Sequence, residues 1–560
     1  ITSDSSVFTF TPKSADSIGI EVAAGNLTDS NGDFIYTFKW SDGINFVTKA
    51  ATITYNTAGS TGGPAFFSRI SESWNYTGNG QSDSHMRGMQ TRQAPDGSYY
   101  TVGRNISGDD SSWLIKRDST GAFEWIRAWG NQNMRVTNVV IDADSNPICF
   151  SHDYGYRYNF GSSNIGQIGH ILKFNPSGVE QYKKVFRFNT TGTSSHASYP
   201  VGVDMDSYGN IWFMFHYNDD VTTPANYSKN VVGLCQFASS DGSLKKVYTL
   251  PPSPISQNGP NSHRCMHIDA NNRMYLGWRI DPPTLSSTYL GIVARLDIPS
   301  ANGAPTYVWT RRYGHNVAQQ SSAHDMPKVI RTLSNGEVIV GGYTKIDSWN
   351  PIGGYSFAGT LMSLSASNGT TNWSKMLDPV YNDGPDICMI VDGDDKIFVT
   401  ATDQASYGDP THIREINSST GAHVNMWDLN YGGTETWRHY TPGQTGLETD
   451  YYGNIIMTMN PFDAGTSDYY PNLIKFPRTM VTGTFGSSTG GLSGALTIAS
   501  NSSTPSNDTT YSPSNQTFSS YSTITDVTSG FGMYSYNSGS YNDTVFTPTS
   551  GTTADVTAIS

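Results

Sequence analysis

Asp204-Met205-Asp206-Ser207-Tyr208-Gly209-Asn210-Ile211-Trp212-Phe213-Met214-Phe215 is the stretch that decides the fold. Residues of strand character approach an Asp/Ser/Gly cluster, where Gly or Asn accepts the positive φ of a tight turn, and a second apolar run leaves it. The same cadence surrounds Asp96-Gly97, Ser145-Asn146, Asn271-Asn272, Asn335-Gly336, Asp394-Asp395 and Tyr452-Gly453. Taking Gly97, Asn146, Gly209, Asn272, Gly336, Asp395 and Gly453 as equivalent, the separations are 49, 63, 63, 64, 59 and 58 residues.

That period fits one four-stranded propeller blade with long loops. Two further features recur in phase with the turn. A third strand carries Ile171–Phe174, Gly233–Phe237, Val293–Asp297, Leu361–Leu364, Ile413–Ile416 and Leu473–Phe476, and a fourth carries Trp125, Trp309, Trp373 and Trp427. A twisted sheet of short strands has two faces to bury, and radial stacking buries both. The chain is therefore expected to be all-β, with a seven-bladed β-propeller over 65–480. The final repeat lacks a fourth strand, which Ala65-Phe66-Phe67-Ser68-Arg69-Ile70 is expected to supply, closing the ring by exchange between its ends.

Composition agrees with this class. Among 560 residues there are 56 Gly, 33 Tyr, 24 Phe and 12 Trp but only 14% charged residues, unlike a helical or a disordered chain. A formal charge of −13 argues against a polyanion partner, so nucleic acid is not expected. No apolar run reaches the roughly 18 residues of a membrane-spanning helix, and membrane insertion is not expected. Cys149, Cys235, Cys265 and Cys388 lack C-x-x-C spacing, and three of them lie in or beside apolar strand runs, so buried free thiols are expected. The first residues, Ile1-Thr2-Ser3-Asp4, read as the middle of a longer polypeptide.

Residues 1–58 form a unit of their own: Val7–Thr11, Phe34–Trp40 and Ala51–Tyr55 alternate in strand period around the turn at Asp29–Asp33. They read as the last strands of an immunoglobulin-like sandwich. The pair Val7-Phe8-Thr9-Phe10-Thr11-Pro12 and Phe38-Lys39-Trp40-Ser41-Asp42-Gly43-Ile44-Asn45 resembles immunoglobulin-like modules of virion structural proteins from marine, cyanophage-like tailed phages. The upstream half of such a module is missing here. Residues 59–64 form a Gly/Ser/Thr/Pro linker, and 481–560, rich in Ser, Thr, Gly and Asn, read as a small β-module or assembly arm expected to pack on a partner.

No nucleophile elbow, P-loop, dinucleotide fingerprint or H-E-x-x-H motif occurs. His85, His196, His263, His267, His324 and His439 fall before or at the start of the innermost strand of their repeats, making them candidate ligands for a transition metal at the channel mouth. Asp142-x-Asp144, Asp204-x-Asp206 and Asp392-x-Asp394-Asp395 offer oxygen ligands for calcium, although Asp is also what such turns favour. The long polar, aromatic loops 155–169, 218–229 and 346–358 are expected recognition surfaces. The resemblance implies a structural, non-enzymatic virion protein (fibre, tail appendage or capsid decoration). Its expected location is the virion or extracellular space, and its expected partners are other virion proteins, copies of itself and host-surface glycan. A secreted bacterial adhesin is the first alternative, and a propeller-type polysaccharide lyase or hydrolase the second.

Overall fold

The computed structural model describes four strands before residue 56, most of 65–476 and short strands after 482. The principal segments outside the described residues are 1–7, 23–31, 56–64, 76–81, 106–111, 130–133, 160–163, 189–198, 219–229, 256–264, 281–289, 314–324, 347–355, 382–386, 402–410, 438–445 and most of 486–554. The chain divides into two units, Ile1–Gly63 and Pro64–Ser560. In the first, Phe8–Ser14 pairs with Ser17–Val22 and Gly32–Ser41 with Phe46–Tyr55, giving two antiparallel hairpins. The sandwich packing expected for 1–58 lies outside the described residues.

The second unit is a seven-bladed propeller. Its inner strands, blades one to seven, are Met86–Gln93, Met134–Ile141, Tyr199–Met205, Met266–Ile268, Asp325–Thr332, Ile387–Val391 and Leu447–Thr449. Each packs beside the next and the seventh returns to the first. Blade seven consists of Leu447–Thr449, Ile455–Met459 and Asn472–Phe476 from the far end of the repeat region plus Ala65–Arg69 from its start, with Ile474 opposite Phe67. The core is correspondingly divided into the seams between blades. Trp212, Met214 and Leu234 of blade three face Leu276, Trp278 and Ile292 of blade four, and Phe398 and Trp427 of blade six face Leu447, Met457 and Ile474 of blade seven. The four cysteines are buried free thiols within these strands or immediately before one.

The turn after each inner strand adopts positive φ at Gly97, Ser145, Gly209, Asn272, Gly336, Asp395 and Gly453. In blade two the left-handed residue is therefore Ser145 rather than the expected Asn146. The reason is local: Asp142 Oδ1 accepts the Asp144 and Asn146 backbone N–H groups, and Asn146 Nδ2 returns to the same carboxylate, placing the turn one residue earlier. Asp206, Asp392 and Asp450 accept the i+2 and i+4 backbone N–H groups in the same way. These aspartates hold turns together, and the second oxygens of Asp142 and Asp450 take Lys173 Nζ at 2.7 Å and Lys475 Nζ at 3.3 Å. Of the aspartates weighed for calcium, Asp142 is thus occupied by turn and lysine contacts, and Asp206 by turn contacts and the Trp212 Nε1 donor at 2.8 Å.

The recurring fourth-strand aromatics lock neighbouring blades. Trp125 Nε1 donates to Pro176 O at 3.1 Å, Trp309 Nε1 to Ala366 O at 2.8 Å and Trp373 Nε1 to Ser418 O at 2.7 Å, each acceptor lying on the next blade's third-to-fourth turn. In blades five and six these turns pass close under the indole through Gly369 and Gly421, both at positive φ.

The described strands of 481–560 form an arm that pairs with the propeller rather than a separate sheet of its own. Leu496–Ser500 pairs with blade six, Thr509–Thr510 with blade five, Gln516–Thr517 with blade four, Thr525–Asp526 with blade three and Phe531–Tyr534 with blade two. Asp555–Ile559 pairs with Ala65–Arg69 on blade seven. The arm thus runs backward around the ring, supplying a fifth strand to six blades and covering edges that would otherwise offer unpaired backbone groups.

Candidate functional site

Counting back five residues from each positive-φ turn residue gives Arg92, Val140, Asp204, His267, Arg331, Ile390 and Glu448. These occupy one level of the inner strands, and all but Val140 line a cavity of about 430 Å3, together with Thr332 and Thr449. Inner strands of blades one, two, three and five carry β-bulges between Gly88 and Gln90, Val136 and Asn138, Pro200 and Gly202, and Pro327 and Val329. A bulge adds a residue and re-aims the side chains beyond it, here at the same level of each blade.

Around the ring the order is cation, apolar, anion, imidazole, cation, apolar, anion. The small or aliphatic positions let long arginines reach past a blade. Arg92 Nη1 lies 3.3 Å from Glu448 Oε2, and Arg331 Nη2, across blade six, lies 3.2 Å from the same oxygen. Gln90 Nε2 donates to Glu448 Oε1 at 3.1 Å while its Oε1 accepts Val139 N–H at 2.9 Å, tying blades seven, one and two together. The Glu448 side chain is only 4% exposed, so its charge depends on these donors. Arg92 is 31% exposed and lines the cavity. Burial works against its charge, but the Glu448 and Asp204 carboxylates more than offset this and hold its pKa above the ordinary value.

Opposite, Asp204 Oδ2 accepts the Ile268 N–H at 2.8 Å and faces His267 Nδ1 at 3.5 Å, while His267 Nε2 sits 3.0 Å from Thr332 Oγ1. Burial pushes the Asp204 carboxyl up, but His267, the Arg92 charge and the Ile268 N–H outweigh it, leaving the pKa below the ordinary range. With Asp204 ionised, the imidazole presents N–H at Nδ1 and accepts the Thr332 hydroxyl at Nε2, the arrangement of a base oriented by a carboxylate. Stabilisation from a lowered carboxyl pKa is complete above the unfolded value near pH ~4 and is lost as pH falls through the lower folded value. Urea unfolding of Asp204→Asn is accordingly expected to show lower stability at neutral pH and a shallower loss between about pH 4 and 2 than the parent.

Of the six histidines considered as metal ligands, His85, His196, His263, His324 and His439 lie outside the described residues. His267 alone is described, and it is engaged by Asp204 and Thr332 rather than by other metal-binding side chains. No cluster of three or more His, Cys, Asp or Glu suited to a metal occurs among the described residues. The loops expected to carry recognition fall largely outside them too. Sequence reading missed Arg92, Arg331 and Glu448. The signal that finds them is the shared offset of five residues before the turn, visible only when repeats are aligned by turn conformation.

No protein family matches the sequence and no curated protein matches it, so nothing in these comparisons connects the chain to tailed-phage virion proteins. Solved structures do align. They include the polysaccharide lyase Uly1 (9% identity, 75% of this chain, 98% of that one, TM-score 0.43) and Penicillium chrysogenum α-L-arabinanase (10%, 75%, 100%, 0.39). Xylan β-1,4-xylosidase from Bacillus halodurans aligns at 10% identity over 78% of this chain and 98% of its own, with TM-score 0.28. At such identities the likeness concerns architecture alone. The expectation of a non-enzymatic chain is corrected to this extent: the solved structures that align are those of a lyase, an arabinanase and a xylosidase, and that expectation is carried no further.

Proposed function

We propose that this chain is a carbohydrate-active enzyme that binds and cleaves a polysaccharide at the axial ring formed by Arg92, Asp204, His267, Arg331 and Glu448. The observation that carries the reading is the ring itself: five titratable side chains from five blades line one polar cavity of about 430 Å3. That volume lies within the usual range of small-ligand sites, about 300–1,000 Å3. Hydroxyl-rich sugars need many donors and acceptors in fixed positions, which a rigid ring of paired charges supplies without reorganisation. Surface or virion attachment of such an enzyme, through the first unit, is the placement the module resemblance favours.

Incubating the full chain with a panel of bacterial and algal polysaccharides, with size-exclusion chromatography and reducing-end assay as readouts, tests this. Chain shortening by the parent that falls at least about 100-fold in His267→Gln, with the melting temperature retained, is the expected result. Shortening that is unaffected by His267→Gln and Asp204→Asn sinks the assignment to this ring.

A further inference from the structure

We infer that the ring selects an anionic sugar, a uronate, with Arg92 as the group that takes its carboxylate and His267 as the base for an eliminative cleavage. This deepens the saccharide reading and rests on it. Two features of the ring carry the inference.

The first is the arginine arrangement. Arg92 and Arg331 reach one carboxylate, Glu448, from opposite sides, with Gln90 as a third donor. Glu448 is nearly inaccessible and holds both guanidinium groups in place, whereas Arg92 remains partly exposed to the cavity. A guanidinium fixed by one carboxylate and open on another side is pre-organised for a second planar anion, because its five donors form a rigid fork. Arg92 and Arg331 share the single Glu448 carboxylate, so this end of the ring keeps a positive charge that a uronate would meet and a neutral sugar would not.

The second is the state of the two acids. Hydrolysis by paired carboxyl groups requires one of them to hold a proton for the leaving oxygen. Here Glu448 is bracketed by two arginines and Asp204 faces His267 and Arg92, so neither is placed to keep a proton. Elimination needs a different set: a cation that neutralises the uronate carboxylate and a base for the proton α to it. Arg92 and His267 Nε2 fill these roles. The Thr332 hydroxyl, which donates to His267 Nε2 in this structure, turns aside, and the proton on the carbon bearing the carboxylate passes to that nitrogen. The electron pair of that C–H bond forms the new C=C bond to the adjacent carbon, and the bond from that carbon to the glycosidic oxygen breaks. Water protonates the departing oxygen, and His267 returns its proton to solvent. Asp204, which holds Nδ1, is a positioning residue.

Isothermal titration calorimetry of the full chain with oligomers of galacturonate, glucuronate and mannuronate, each beside its carboxyl-reduced neutral counterpart, tests the selection. At least one uronate is expected to bind about tenfold or more tighter than its reduced partner, as one charge-assisted contact provides. Arg92→Gln is expected to bring that ratio close to one, and Arg92→Lys to keep part of it. Thermal melts of both variants establish that they fold. Equal affinity for charged and neutral forms overturns the inference while leaving saccharide binding intact, and no binding of any oligomer overturns both. For the chemistry, cleavage that yields an ultraviolet-absorbing double bond at the new end, lost in His267→Gln, is the expected result. New reducing ends without that absorbance mean hydrolysis and overturn the eliminative step.

Discussion

Deleting residues 481–560 is expected to lower the melting temperature markedly and to make the chain aggregate. The arm supplies the outermost strand of six blades, so its removal exposes six strand edges at once. One of its residues, Ile498, is 1% exposed and packs with Trp427 and Leu429 of blade six and the residues of blade seven. Burial of that side chain alone is worth about 1.5–3 kcal/mol. The last strand, Asp555–Ile559, pairs with Ala65–Arg69, the segment that completes blade seven, so its loss also uncovers the closing strand. Differential scanning fluorimetry and light scattering on the truncated chain check this. Unchanged melting and a monodisperse monomer would mean that the arm is passively draped and contributes nothing to closure.

The seam between blades seven and one gives the second large effect. Arg117 is completely buried, and among the described residues no carboxylate is a hydrogen-bond partner of it. Its guanidinium donates instead to Ser68 Oγ at 3.1 Å, Thr101 Oγ1 at 3.0 Å and Pro471 O at 3.0 Å. These acceptors come from the N-terminal closing strand, from blade one and from the residue just before the third strand of blade seven, so one side chain joins the two ends of the ring. Burial pushes its pKa down to about 9, which leaves it protonated at neutral pH. Arg117→Met is expected to cost at least about 3 kcal/mol, since three buried acceptors lose a charged donor. Arg117→Lys is expected to rescue little, because an ammonium cannot reproduce the planar fork. Chemical denaturation of both variants reads this directly, and a loss below about 1 kcal/mol for Arg117→Met would show that water replaces the donor without penalty.

What the sequence made legible was whatever repeats with a local cause. The turns were readable because Gly97, Gly209, Gly336 and Gly453 sit where positive φ is required, and the fourth-strand tryptophans because three of the four, Trp125, Trp309 and Trp373, donate to a backbone carbonyl on the next blade. Ser145 was missed by one position, since a Ser-Asn pair gives no glycine to mark the left-handed residue. The path of the arm was not readable: Thr509–Thr510 and Gln516–Thr517 are two-residue pairings with no periodicity, specified by the edges they meet rather than by their own pattern. The ring of charges was hidden for a different reason. Arg92, Asp204, His267, Arg331 and Glu448 differ in type, so no residue repeats even though the position does, and only closure of the ring brings Glu448 beside Arg92. Of the candidate histidines, His85, His196, His324 and His439 lie seven to nine residues before the ring position of blades one, three, five and seven, and His267 stands at that of blade four.

The most direct test of the account is an experimental structure of the chain with a uronate oligosaccharide bound. The account predicts density for one sugar ring in the axial cavity, its carboxylate within hydrogen-bonding distance of Arg92 and its α-carbon facing His267 Nε2. Saccharide density confined to another surface, with the cavity between Arg92, His267 and Glu448 empty of it, would contradict the account.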